Sequence, residues 1–252
     1  MVTPLLKRGT KRGKYSPMVI RDRLIALIYR IVILALGVWT LTVQLTTNAV
    51  NNFWVGFGSY ASIVTLFGCI IVLSEIIANA IGMKEKRTTI APGVVPFLFH
   101  GALALLVSLA AIHPFYCYFV GVDYMKADTL LYSLLSFVFF PLAILIDWIL
   151  FGEKGTVKWS YGMFPLFIPI FYYLFSLMRK LLVSGSTYST LVFDSNTFIM
   201  SSYLPDAFSA GNGWAGVFIS ILSIFAIITF IDFALILINN LLARRYVHET
   251  GY

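Results

Sequence analysis

Charge is the scarcest commodity in this chain. Only 12% of its 252 residues are Asp, Glu, Lys or Arg, about half the share found in an ordinary soluble domain. That shortage excludes a separate soluble domain of ordinary composition. Cysteine is nearly absent too. Cys69 and Cys117 form no spacing motif; one falls in a predicted span and the other near a membrane surface, which argues against a disulfide. There are three histidines, and no second histidine or cysteine stands at ligand spacing. The sequence therefore predicts no metal site and no cofactor. No small-residue cleavage site follows the first apolar run, which at about twenty residues is too long for a signal-peptide core. It reads as a retained span. Nor does any clear internal repeat occur, which removes the inverted-repeat signature of many transporters.

What the chain has is hydrophobic length. It is 60% apolar, and the excess is gathered in six runs, each near the ~20 residues that cross a bilayer. They cover 24–45, 57–80, 92–112, 130–150, 161–182 and 214–242. The prediction is an all-α polytopic membrane protein with six transmembrane helices. A basic tail precedes them over 1–23, and a short tail follows over 243–252.

Lysine and arginine placement orients the spans. Seven basic residues lie in the amino tail. Lys84, Lys86 and Arg87 follow span two, Lys154 and Lys158 follow span four, and Arg244 and Arg245 lie at the carboxyl end. Fourteen of the eighteen basic residues thus fall on one side, so both termini are expected to be cytoplasmic, with the cell membrane as location. The net charge of +7 then suits topology and anionic headgroups better than nucleic acid. Expected partners are membrane lipid and a possible membrane protein partner. The longest outer segment, Val183 to Gly213, is rich in Ser, Thr, Tyr and Phe; it is expected to pack over the outer mouth of the bundle.

Apart from Arg179 and Lys180 near the outer end of span five, the charged residues and histidines inside the runs are Arg30, Glu75, His100, Asp147 and Asp232. All fall in the cytoplasmic half of their spans, and the outer half is almost free of charge. Helical spacing sharpens this. Gly58, Ala61, Thr65, Gly68, Glu75, Asn79 and Gly82 share one stripe of span two; Arg30, Gly37 and Gln44 share one of span one; His100, Ala104, Ser108 and Ala111 share one of span three. Small and polar stripes should face other helices. Arg30, Glu75, Asp147 and Asp232 are accordingly read as a buried ionic cluster, with Arg30 the partner of Asp147. Intramembrane charge points to function by default. One cation facing three carboxylates also suits an ion-pair network that fixes helix register, and that is the reading adopted. His100 is a proton acceptor or, more ordinarily, a hydrogen-bonded packing residue. Pro96, Pro141, Pro165 and Pro169 should bend spans three, four and five.

The stretch "FFPLAILIDWILFGEKGTVKWSYGMFPLFIPIFYYLFSLMRK", with "YSTLVFD" beyond it, resembles the bacterial six-pass branch of the androgen-induced membrane hydrolase family. The matching positions are Pro141, Asp147, Trp148, Phe151, Gly155, Trp159, Pro169, Tyr172 or Tyr173, Tyr188, Phe193 and Asp194, over about residues 130–194. The resemblance implies six spans with cytoplasmic ends and, from the animal members, hydrolysis of fatty-acid esters by a threonine in span two and a histidine in span four. This chain has Gly58 at the threonine position, with Ser59 beside it. It has no histidine in "SLLSFVFFP" before Pro141. The implied pair is missing. The reading adopted is a non-catalytic membrane protein binding a lipid, another hydrophobic ligand or a membrane partner. One alternative is a lipid-ester hydrolase with a relocated hydroxyl, Ser59 as nucleophile and His100 or His113 as base. The other is a small proton-coupled transporter using Glu75, Asp147 and Asp232.

Overall fold

The computed structural model describes residues 22–48, 60–84, 96–120, 127–152, 154–155, 157–182 and 213–249. Seven α-helices are present among them: α1 (Arg23–Asn48), α2 (Tyr60–Lys84), α3 (Pro96–Val120), α4 (Ala127–Leu134), α5 (Phe140–Phe151), α6 (Phe167–Leu182) and α7 (Gly213–Glu249). The described part of the chain is all-helical. Four of its stretches are long and apolar enough to cross a membrane: Arg23–Thr46, Tyr60–Lys84, Leu130–Phe151 and Leu222–Ala243. A shorter apolar helical stretch covers Leu98–Pro114. These helices indicate a membrane protein. Residues 1–21 and 250–252, Gly58, Ser59, the Cys117 side chain and the outer segment over 183–212 lie outside the described residues.

Local chemistry sets the helix ends. Asp22 caps α1: its Oδ1 accepts from the N–H groups of Leu24 at 2.8 Å and Ile25 at 3.2 Å, satisfying donors that the first turn leaves orphaned. At the other end of α5, the carbonyl of Trp148 accepts from the Gly152 N–H at 3.2 Å and from Lys154 Nζ. An orphan carbonyl is thereby covered twice.

The fourth span is not one regular helix. A π-helical turn, Leu135–Phe139, joins α4 to α5. Pro141 explains its position. Proline lacks the N–H that would bond back to Phe137 and crowds the preceding turn. Widening that turn by one residue relieves the conflict without ending the helix.

The fifth span differs more from the sequence expectation of a helix from Tyr161. Residues 157–166 form two 3₁₀ turns, Trp159–Tyr161 and Phe164–Leu166, and α6 begins only at Phe167. Pro165 lies in the first two positions of the second turn, where its missing donor costs nothing, and Pro169 lies in the first turn of α6 for the same reason. The prolines delay this helix rather than bend it.

Packing centres on α1, α2 and the π-turn–α5 segment. The Phe140 ring, fully buried, fills the space between two glycines. A Cβ on Gly37 would stand 2.6 Å from Phe140 Cε2 and 2.6 Å from Cys69 Sγ, and one on Gly68 would stand 3.2 Å from Phe140 Cε1. Any side chain at Gly37 would push the three helices apart. The outward faces are apolar: Leu24, Ile28, Ile31, Val32, Val38 and Trp39 on α1 are all exposed, as a lipid-facing surface requires.

Candidate functional site

Among the described residues, two polar centres stand in the interior. The first lies between α1, α2 and α5. Arg30 Nε donates to Asp147 Oδ1 at 3.0 Å, and Arg30 Nη1 lies 3.1 Å from Glu75 Oε2. All three are essentially shut off from solvent, at 3%, 1% and 3% exposure for Arg30, Asp147 and Glu75. One guanidinium therefore bridges two carboxylates from different helices. An ion pair at ~4 Å in an effective dielectric of ~20 gains ~4 kcal/mol. Desolvation costs several kcal/mol per ion. The assembled triad is close to break-even, whereas loss of one member leaves an uncompensated charge. Its energetic content is thus specificity of arrangement.

Gln44 ties the same region together again. Its Nε2 donates to Thr65 Oγ1 and to Ser136 Oγ, both at 3.0 Å. These are bonds from α1 to α2 and to the π turn. Fourteen residues separate Arg30 from Gln44, about 21 Å at ~1.5 Å per residue. Two polar ties far apart on one helix, with the Gly37–Phe140 contact between them, fix both register and rotation. On α2 the stripe Ala61, Thr65, Gly68, Glu75, Asn79 and Gly82 is buried throughout. On α3 His100, Ala104 and Ser108 are buried and Ala111 is partly exposed.

The second centre pairs α3 with α7. His100 Nε2 lies 2.8 Å from Asp232 Oδ1, with the residues 2% and 0% exposed. Asp232, grouped with Arg30 in the sequence reading, is thus partnered by His100. The contact is close and polar but does not meet hydrogen-bond geometry. His100 Nδ1 and Asp232 Oδ2 have no hydrogen-bond partner either.

Lys154 is the site residue that sequence reasoning missed, having been read only as an orientation charge. It is 4% exposed. Its ammonium sits 4.2 Å from the centre of the Trp148 ring while donating to the Trp148 carbonyl. Burial pushes its pKa down from 10.5 to about 8, with nearby Asp147 acting in the opposite sense. The signal was present as Trp148 six residues before Lys154, a spacing that allows a lysine to fold back over an indole. Nothing in the sequence alone said that it does.

Of the residues weighed for hydrolysis, Ser59 lies outside the described residues. His113 stacks on Phe137, ring centres 3.6 Å apart. His100 faces a carboxylate, and among the described residues no hydroxyl hydrogen-bonds to either of its ring nitrogens. Ser108, two turns along the same helix, donates to the Ala104 carbonyl at 2.6 Å. Among the described residues, no three His, Cys, Asp or Glu side chains converge as a metal site would need.

Comparison with protein-family models, with curated proteins and with solved structures found no match to this chain.

Proposed function

We propose that this chain is a non-catalytic, multi-pass protein of the cell membrane whose bundle holds a lipid, another hydrophobic ligand or a membrane partner. It has six spans and cytoplasmic termini in this reading. The four long apolar helices supply four crossings; α3, with its apolar stretch, and α6 supply the other two. The one-sided distribution of basic residues supports the orientation, and the resemblance to the six-pass hydrolase branch supports the scaffold without its catalytic pair.

One observation carries the reading. The charged and hydroxyl groups between α1, α2 and α5 are engaged with one another, Arg30 with two carboxylates and Gln44 with two hydroxyls. They serve as ties between helices, and among the described residues no hydroxyl hydrogen-bonds to His100. A hydrolase needs a hydroxyl within reach of its base.

The test is a purification in mild detergent, followed by native mass spectrometry. It is combined with fluorophosphonate labelling and a lipid-ester turnover assay. A retained lipid or co-purifying membrane protein, with neither label nor turnover, is expected. Turnover that disappears on replacing Ser59, or another hydroxyl within the bundle, would overturn the reading and make the protein an enzyme.

A further inference from the structure

The His100–Asp232 pair differs from the Arg30 triad in three ways. Asp232 stands near the middle of the apolar stretch Leu222–Ala243 and is the only charged residue in it. Among the described residues, no arginine or lysine contact accompanies its 2.8 Å approach to His100. Polar atoms are also left over: Asp232 Oδ2 and His100 Nδ1 are buried without a partner. Asn239 stands two turns further on the same face of α7. It is 0% exposed, and both its amide atoms are equally unpartnered. Buried polar atoms in this condition require an explanation, such as an ion or water.

The neighbouring backbone supplies one. The segment 157–166, built of 3₁₀ turns rather than α-helix, touches the chain on both sides of the pair. A Cβ on Gly101, next to His100, would meet Phe164 at 3.1 Å. A Cβ on Gly162 would meet the ring of Phe233, next to Asp232, at 2.6 Å. Trp159 stacks on the same Phe233 ring, centres 6.0 Å apart. The segment therefore runs against α7 at the level of a mid-span carboxylate. Irregular backbone at membrane depth survives only where protein or a polar cavity satisfies it. Interrupted helices beside an intramembrane acid are where membrane proteins bind small cations, because unwound carbonyls add oxygen ligands to the carboxylate.

We propose that Asp232 and His100, beneath the 157–166 segment, form an intramembrane binding site for a monovalent cation, sodium or the proton. Asp232 supplies the charge. His100 orients one carboxylate oxygen and leaves the other for the ion. Among the described side chains, the other titratable groups on the packed elements are His113 on α3, Lys158 and Tyr161 in the segment, Tyr172 and Tyr173 on α6, and Tyr60, Cys69, Glu75 and Lys84 on the adjoining α2. This site stands apart from the scaffold reading above and survives its failure.

The experiment uses the full chain in detergent with dicyclohexylcarbodiimide. This apolar reagent adds a protonated carboxyl across its C=N bond and rearranges to an N-acylurea that retains every atom. Peptide mass mapping then locates the adduct. The expected result is modification of Asp232, with Asp147 and Glu75, both held by Arg30, left unmodified. Suppression of the adduct by sodium chloride, and not by choline chloride, assigns the site to sodium; an adduct indifferent to sodium and favoured by acid assigns it to the proton. Asp232→Asn should abolish the adduct. Should that variant fail to fold, the contrast between Asp232 and Asp147 in the unaltered chain decides alone. Equal modification of all three carboxylates overturns the proposal. So does no adduct on Asp232 in folded protein whose unfolding midpoint ignores sodium.

Discussion

Replacing Asp147 by alanine is the sharpest perturbation of the interior. It removes the acceptor 3.0 Å from Arg30 Nε and leaves the guanidinium with Glu75 at 3.1 Å, so the arginine is not wholly bare. Breaking a buried pair by removing one partner costs about 3–5 kcal/mol. The surviving Glu75 contact places this case at the lower end, about 3 kcal/mol by the same scale. For a chain of this size a destabilisation of 1 kcal/mol lowers the midpoint by roughly 2–4 °C, so the expected loss is about 6–12 °C. The assay is thermal unfolding of the purified protein in one detergent, with exposed Lys158→Ala as the control. Arg30→Met should be worse, because it strands two carboxylates. The triple change Arg30→Met, Glu75→Gln, Asp147→Asn should recover most of the loss, since neutral groups carry little of the desolvation cost. The reasoning fails if Asp147→Ala stays within about 0.5 kcal/mol of the parent, the range of an ordinary surface change. It also fails if the effects of Arg30→Met and Asp147→Ala simply add, since directly coupled residues should not be additive.

Further outcomes follow from other contacts. Lys154 titrates at about 8 in the folded protein against an ordinary 10.5, so between those values the unfolded chain binds more protons than the folded one. Stability relative to Lys154→Met should therefore rise with pH across that window, which thermal midpoints from pH 7 to 10.5 would show; a flat or falling difference would contradict the burial. Gly162→Ala drives a Cβ to 2.6 Å from the Phe233 ring and should cost about 1–3 kcal/mol as overpacking. Phe233→Leu should relieve much of that cost, and failure of the pair to show coupling in a double-mutant cycle would place the strain elsewhere. Gln44→Leu removes two 3.0 Å hydrogen bonds and should cost about 1–2 kcal/mol at ~0.6 kcal/mol or more per intramembrane bond, read from the same unfolding assay.

Much of this was legible in sequence because a bilayer reduces folding to periodicity and polarity. Hydrophobic length alone marks helices that can cross a membrane, since backbone groups in lipid must be satisfied within the segment. The stripe Thr65, Gly68, Glu75, Asn79 was readable because residues three, four or seven apart share a helical face. Arg30, Gly37 and Gln44 were readable for the same reason. Proline positions were visible too, but their effect was not. Whether Pro141 yields a kink or a π turn, and whether Pro165 bends a helix or postpones it, depends on how the neighbouring turn is packed.

Partner choice belonged to the tertiary structure. The sequence listed one arginine and three carboxylates at comparable depths, and periodicity gives each group a face but not the neighbour that the face meets. The azimuthal packing of α3 against α7 gave Asp232 to His100, while α1, α2 and α5 enclosed Arg30 with Glu75 and Asp147. The same holds for Lys154, whose flexible stem could as well have reached water. Only the fold-back over Trp148 buries it. Local sequence determines which residues must leave lipid and which helix face they occupy; the relative rotation of whole helices, set by contacts such as Gly37 on Phe140, determines whom they meet.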